Sequence, residues 1–102
     1  MSDRLELLRQ VCEERPDDPF PRYGLAMELR RLGQLDQALA AFEALREASP
    51  TYLPQYLMAG QLCEQRDDEA GARAAYEAGM ALAEAQGDDH ALEELEAALD
   101  AL

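Results

Sequence analysis

The segment Ala38–Ala44, ALAAFEA, returns thirty-four residues later as ARAAYEA at Ala72–Ala78. Five of the seven positions are identical, and the ring of Phe42 is answered by the ring of Tyr76. Alanine is common in this chain, so identity at alanine alone would carry little. A ring kept as a ring at a constant offset carries more. An internal period of this length implies repeated supersecondary units that stack on one another and bury a shared face. The first copy lies within Gly33–Pro50, GQLDQALAAFEALREASP, which reads as a helix start, a helix with small residues on one side, and a proline stop.

What forms each unit follows from residue type. Valine occurs once and isoleucine not at all, while alanine, leucine, glutamate and arginine dominate. Strand formers are nearly missing and helix formers abound, so the chain is all-α. Six helices are expected. The first opens on Asp3-x-x-Glu6, a capping-box pattern, carries Leu5, Leu8 and Cys12 with Leu7 and Val11 beside them, and stops before Pro16. Asp18-Pro19 caps and starts the second, whose stripe is Leu25, Leu29 and Leu32 with Ala26 and Met27 alongside. Gly33 ends it in the left-handed conformation. The third runs from about Leu35 to Ala48 with Ala38, Leu39, Phe42 and Leu45 inward. Pro54 starts the fourth, with Tyr56, Ala59, Gly60 and Cys63. Gly60 costs up to about 1 kcal/mol relative to alanine inside a helix, so a neighbouring helix is expected to approach closely there. Asp67-Asp68 forms the next turn and cap, and the fifth helix spans Glu69 to about Gln86. Gly87 ends it, Asp88-Asp89 caps the last, and Leu92, Leu95, Leu99 and Leu102 make its stripe.

With 102 residues there is room for one domain with a modest core. The net charge is −13, and all nine cations are arginine. Such a surface repels nucleic acid and anionic membrane, so neither is an expected partner. It reads first as a solvated acidic surface. Excess acid with no lysine also fits a high-salt cytoplasm, and a GC-rich genome replaces lysine with arginine as well. Cys12 and Cys63 form no CxxC pair and fall among apolar helical positions, which suits packing as reduced thiols. No signal segment or membrane-length apolar run is present, so a soluble, cytoplasmic protein is expected.

Helix pairs of 34 residues with this pattern resemble the tetratricopeptide repeat family. Leu25-Ala26, Gly33, Ala38, Phe42 and Pro50 match its first full unit, and Tyr56, Ala59-Gly60, Ala72 and Tyr76 its second. Asp67 replaces the glycine expected between helices, and Glu84 stands where the second unit's proline would be. The resemblance implies a right-handed α-solenoid of antiparallel helix pairs, with the Phe42 and Tyr76 rings filling space between units. It divides the single domain 1–102 into a half-repeat helix (3–15), repeat one (19–50), repeat two (53–86) and a C-terminal capping helix (88–102). Arg4 occupies the place of a small alanine in the first of these, as in a helix adapted to an end.

Chemistry-bearing constellations are missing from the sequence. His90 follows Asp88-Asp89, a set of acceptors better read as a helix cap than a metal site. Glu13-Glu14 and Glu93-Glu94 are adjacent on helices, so their side chains diverge. No phosphate loop or nucleophile–base set appears, and no enzyme activity, cofactor or metal is expected. What the resemblance implies instead is a concave groove for a peptide or partner helix. Position by position, the groove residues would be Phe20, Tyr23, Met27, Arg30 and Arg31, then Leu57, Met58, Gln61 and Gln65. The lysines and asparagines that grip a terminal carboxylate in one branch of the family are replaced here by Tyr23, Met27 and Met58. An apolar segment is therefore the expected ligand, with the arginines pairing an acid on it. The alternative for the same residues is that Met27 and Met58 belong partly to the core and Tyr23 shields them. Two other readings remain: a homodimer through the terminal helices, using Leu7 and Val11, and a repeat fragment of a larger regulatory protein.

Overall fold

A computed structural model describes residues 3–102, and those residues form six helices and no strand. They are α1 (Asp3–Glu14), α2 (Pro19–Arg31), α3 (Leu35–Ala48), α4 (Pro54–Gln65), α5 (Glu69–Gln86) and α6 (Asp89–Asp100). None is long and apolar enough to cross a membrane. The helices fall into two compact units, the first ending at Tyr52 and the second running Leu53–Leu102.

Local chemistry places the ends. Three aspartates, Asp18, Asp68 and Asp88, accept from the backbone N–H groups of Phe20, Gly71 and Ala91 at 3.0, 2.9 and 3.0 Å. Each satisfies a donor that a helix start leaves without a partner. Pro19 and Pro54 occupy first-turn positions, where a missing N–H costs nothing. At the start of α1, Asp3 is the first of the described residues.

The exits follow the same logic. Gly33 and Gly87 have φ of 76° and 69°, and α5 runs past Glu84 until Gly87 turns it. Between α4 and α5 the left-handed position falls to Asp67, at φ 57°, the one non-glycine residue of positive φ among those described. Aspartate tolerates this region better than most residues but pays more strain than glycine. Thermal melts should therefore rank Asp67→Gly above the parent and Asp67→Ala below it, in steps on the order of 0.5–1 kcal/mol.

In the first unit α2 packs against both α1 and α3. Its core is Leu5, Ala26, Leu29, Ala38, Phe42 and Leu45, all buried. Leu32, expected inward, is 37 % exposed. It is the C-cap of α2, where no further helical turn follows to cover it, and its side chain borders an opening beside α1. Phe42 is buried and meets the Tyr23 ring edge-on, with centroids 6.4 Å apart.

In the second unit α5 is flanked by α4 and α6. Tyr56, Leu62, Cys63, Ala72, Ala75, Tyr76, Ala83 and Leu95 form its core. The Tyr76 ring is fully buried against the backbone of Gly60, and its hydroxyl donates to Glu64. A methyl group on Gly60 would come within 2.2 Å of a Tyr76 ring carbon. That is the close approach the mid-helix glycine anticipated. Gln55 is the second unit's one buried polar side chain among the described residues. Cys12 is half-buried, Cys63 is buried, and both are thiols.

Candidate functional site

The exposed face of α2 is unusual for so acidic a protein. Arg22, Arg30 and Arg31 stand on it, and the helix's one acid, Glu28, is buried. Arg22 is committed to structure: its Nε and Nη2 both donate to the Pro16 carbonyl at 3.3 Å, holding α2 against the turn that follows α1. The remaining side chains enclose an open cavity of about 560 Å³ between α2 and the start of α1.

Phe20, Tyr23 and Met27 form its apolar wall, spaced three and four residues apart so that one helix face carries all of them. Phe20 is 68 % exposed, which leaves a large ring standing in solvent at the cavity's edge. Tyr23 is anchored from behind by the Phe42 ring and by Tyr52, whose centroid is 5.5 Å away. Its partial burial, with Tyr52 beside it, raises the phenol's pKa above the ordinary 10.0, and the Arg30 charge offsets part of that. The phenol is neutral across the physiological range. Tyr23 thus serves both readings of the sequence, since it backs onto the core and lines the cavity.

The polar floor was not anticipated. Glu28 is 4 % exposed, and its two oxygens accept from Arg31 Nε and Nη2 at 2.7 and 2.8 Å. This is a bidentate fork, the geometry in which guanidinium and carboxylate bind most firmly. The contact holds Arg31 further in its charged form. Arg4 of α1 approaches the same carboxylate at 3.8 Å, a looser contact made by a side chain that is 67 % exposed. Arg31 also borders a second opening of about 690 Å³, whose other walls are Leu5, Glu6, Arg9, Leu32, Gln34 and Gln37.

Of the nine residues expected to line a groove, Phe20, Tyr23, Met27 and Arg31 meet at the first cavity. Arg30 lies beside them, near enough for its charge to act on Tyr23, without lining it. Leu57, Met58 and Gln61 are half-buried on α4 and Gln65 is exposed at its end. Arg4, Gly24 and Glu28 complete the lining and were missed. Glu28 had a signal: it stands three residues after Leu25, on the apolar stripe itself. His90, at the start of α6, lies 3.1 Å from Glu94 one turn on. Among the described residues no three His, Cys, Asp or Glu side chains converge as a metal-binding set.

No family model matches the chain. It is 38 % identical to a tetratricopeptide repeat domain protein of Salinibacter ruber whose solution structure superposes with a TM-score of 0.78, covering 82 % of this chain and 85 % of that one. A TPR repeat-containing protein of Pseudomonas aeruginosa is 29 % identical over 91 residues, 89 % of this chain and 87 % of the relative. The fold also matches PcrH, solved in complex with the chaperone binding region of PopD, with a TM-score of 0.86 at 22 % identity over 95 % of this chain and 74 % of that one.

Proposed function

The chain belongs to the tetratricopeptide repeat family, and on that footing we propose that it is a non-enzymatic interaction module whose α2 cavity receives an apolar segment of another protein. Such folds generally serve protein–protein interaction, and PcrH binds a segment of its partner. One observation carries the reading to this cavity: Phe20, 68 % exposed, stands at the edge of a concave surface already walled by Tyr23 and Met27. Aromatic side chains are enriched among the few residues that carry most of an interface's binding energy, and apolar recesses are where ligands seat. On α4, Leu57, Met58, Gln61 and Gln65 are proposed as partner contacts of the second unit.

Phe20 is also the cleanest residue to test. Tyr23 supports Phe42 and Tyr52, so its removal would disturb folding and binding together. Phe20→Ala should leave stability within about 0.5 kcal/mol, as exposed substitutions do. It should weaken partner retention at least tenfold, a loss of about 1.4 kcal/mol. Affinity capture from the source cell with both proteins, beside their melting curves, makes the comparison. Unchanged partners on Phe20→Ala would sink the cavity reading.

A second reading has its own observation. Leu7 is 59 % exposed on α1, an apolar side chain without cover. Pairing with a second copy through α1 would cover it. A molar mass that rises with concentration, and stops rising in Leu7→Gln, would favour self-association; a constant monomer mass would remove it.

A further inference from the structure

The two arginines at the α2 cavity do different work, and the difference assigns a ligand chemistry. Arg31 spends its planar fork on Glu28 at 2.7 and 2.8 Å. Its donors along Nε and Nη2 are committed, and moving them would leave a carboxylate that is 4 % exposed without its main partner. Arg4 is as exposed as Arg31, at 67 against 66 %, but makes one contact at 3.8 Å, beyond hydrogen-bond length, so the commitment of donors is what separates the two. Its guanidinium stands at the edge of the cavity that Phe20, Tyr23 and Met27 wall.

We propose that Arg4 is the specificity-determining residue of this site and that the segment bound there is acidic as well as apolar, placing a carboxylate on Arg4 and an apolar side chain against Phe20 and Met27. This rests on the cavity being the partner site. Charge complementarity supports the choice. The lining carries two guanidiniums and one carboxylate, a local excess of positive charge in a chain of net −13. The acidity is unevenly distributed: residues 3–52 hold ten acids against seven arginines, whereas residues 53–102 hold twelve against two. The cavity lies wholly within the more balanced half. At physiological ionic strength exposed charges act over about 8 Å, so the arginines within the cavity dominate a ligand seated there. Glu28 contributes by fixing Arg31 as a rigid wall, which leaves Arg4 as the adaptable member of the pair. A residue that departs from the repeat pattern, arginine where a small alanine is usual, thereby acquires a purpose.

The test is selection from a random twelve-residue phage-displayed peptide library, at physiological ionic strength, on the parent protein, Arg4→Gln and Phe20→Ala. The parent should enrich peptides pairing Asp or Glu with Leu, Phe or Met, and a synthetic peptide from that pool should lose at least tenfold in affinity on Arg4→Gln. The same peptide with its acid changed to the amide should bind the parent as weakly as the acidic form binds Arg4→Gln, and should lose nothing further on that variant. Matching circular dichroism and melting temperatures establish that Arg4→Gln is folded. Apolar peptides without acids, bound equally by parent and Arg4→Gln but lost on Phe20→Ala, would overturn the role of Arg4 and keep the cavity. Enrichment of basic peptides, insensitive to both substitutions, or no enrichment at all, would overturn both.

Discussion

Tyr76→Ala should cost about 3–5 kcal/mol, the range for removing a large ring from a packed core. Tyr76 is 0 % exposed, and its ring fills the space that the bare backbone of Gly60 leaves between α4 and α5. For a domain of this size the loss should lower the melting temperature by roughly 12–40 °C. Total stability is on the order of 5–15 kcal/mol, so much of the margin would go with one side chain. Tyr76→Phe isolates the hydroxyl. The ring stays and the hydrogen bond to Glu64 is lost, which should cost about 0.5–1.5 kcal/mol. A ring-independent result, with Tyr76→Phe as damaging as Tyr76→Ala, would contradict this packing.

Gly60→Ala attacks the same contact from the other side. The new methyl carbon would lie 2.2, 2.6 and 2.7 Å from three carbons of the Tyr76 ring. That ring is enclosed and cannot swing away as the end of an exposed chain could. Overpacking of this kind costs about 1–3 kcal/mol and occasionally more. Helix propensity works in the opposite direction, since alanine is favoured over mid-helix glycine by about 1 kcal/mol. The steric term wins, and Gly60→Ala should destabilise by about 2 kcal/mol in chemical unfolding. The pair also makes a sharp double-mutant cycle. Once Tyr76 is alanine the methyl meets open space, and Gly60→Ala should become neutral or stabilising. Additive losses would mean that the glycine is needed for some other reason.

Helix existence and most boundaries were legible because they depend on residues acting on their immediate neighbours. Asp18, Asp68 and Asp88 cap within three residues, Pro19 and Pro54 act through their own φ, and Gly33 and Gly87 turn by themselves. The repeat made Gly60 readable as well, because a glycine in a helix needs a neighbour close by and Tyr76 stood at the echo of Phe42. Leu32 was misread because the stripe tells which way a side chain faces and not whether anything covers it, and at the C-cap of α2 no further turn follows to do so. At the site, Phe20, Tyr23, Met27 and Arg31 were reached through the family resemblance, and the cavity brings them together. The floor was harder. Glu28 was passed over because an acid is assumed to face water, and Arg4 because its partner is 24 residues away on another helix. Charge pairs between helices leave no periodic trace, so only the fold displays them.

The two thiols, one in each half of the chain, differ in how they meet solvent. Cys12 sits half-buried on α1 in the first unit, and Cys63 is buried on α4 in the second. Burial also holds the Cys12 thiol above its ordinary pKa of 9.0, with Arg22 pulling slightly the other way. Cys63, being buried, meets a reagent only when the helices around it part, whereas half-buried Cys12 reacts in the native state, slowed by its raised pKa. A thiol reagent applied to the native protein would therefore show a fast phase from Cys12 and a slow phase from Cys63, the slow one recording the opening of the second half without any label having to be engineered in.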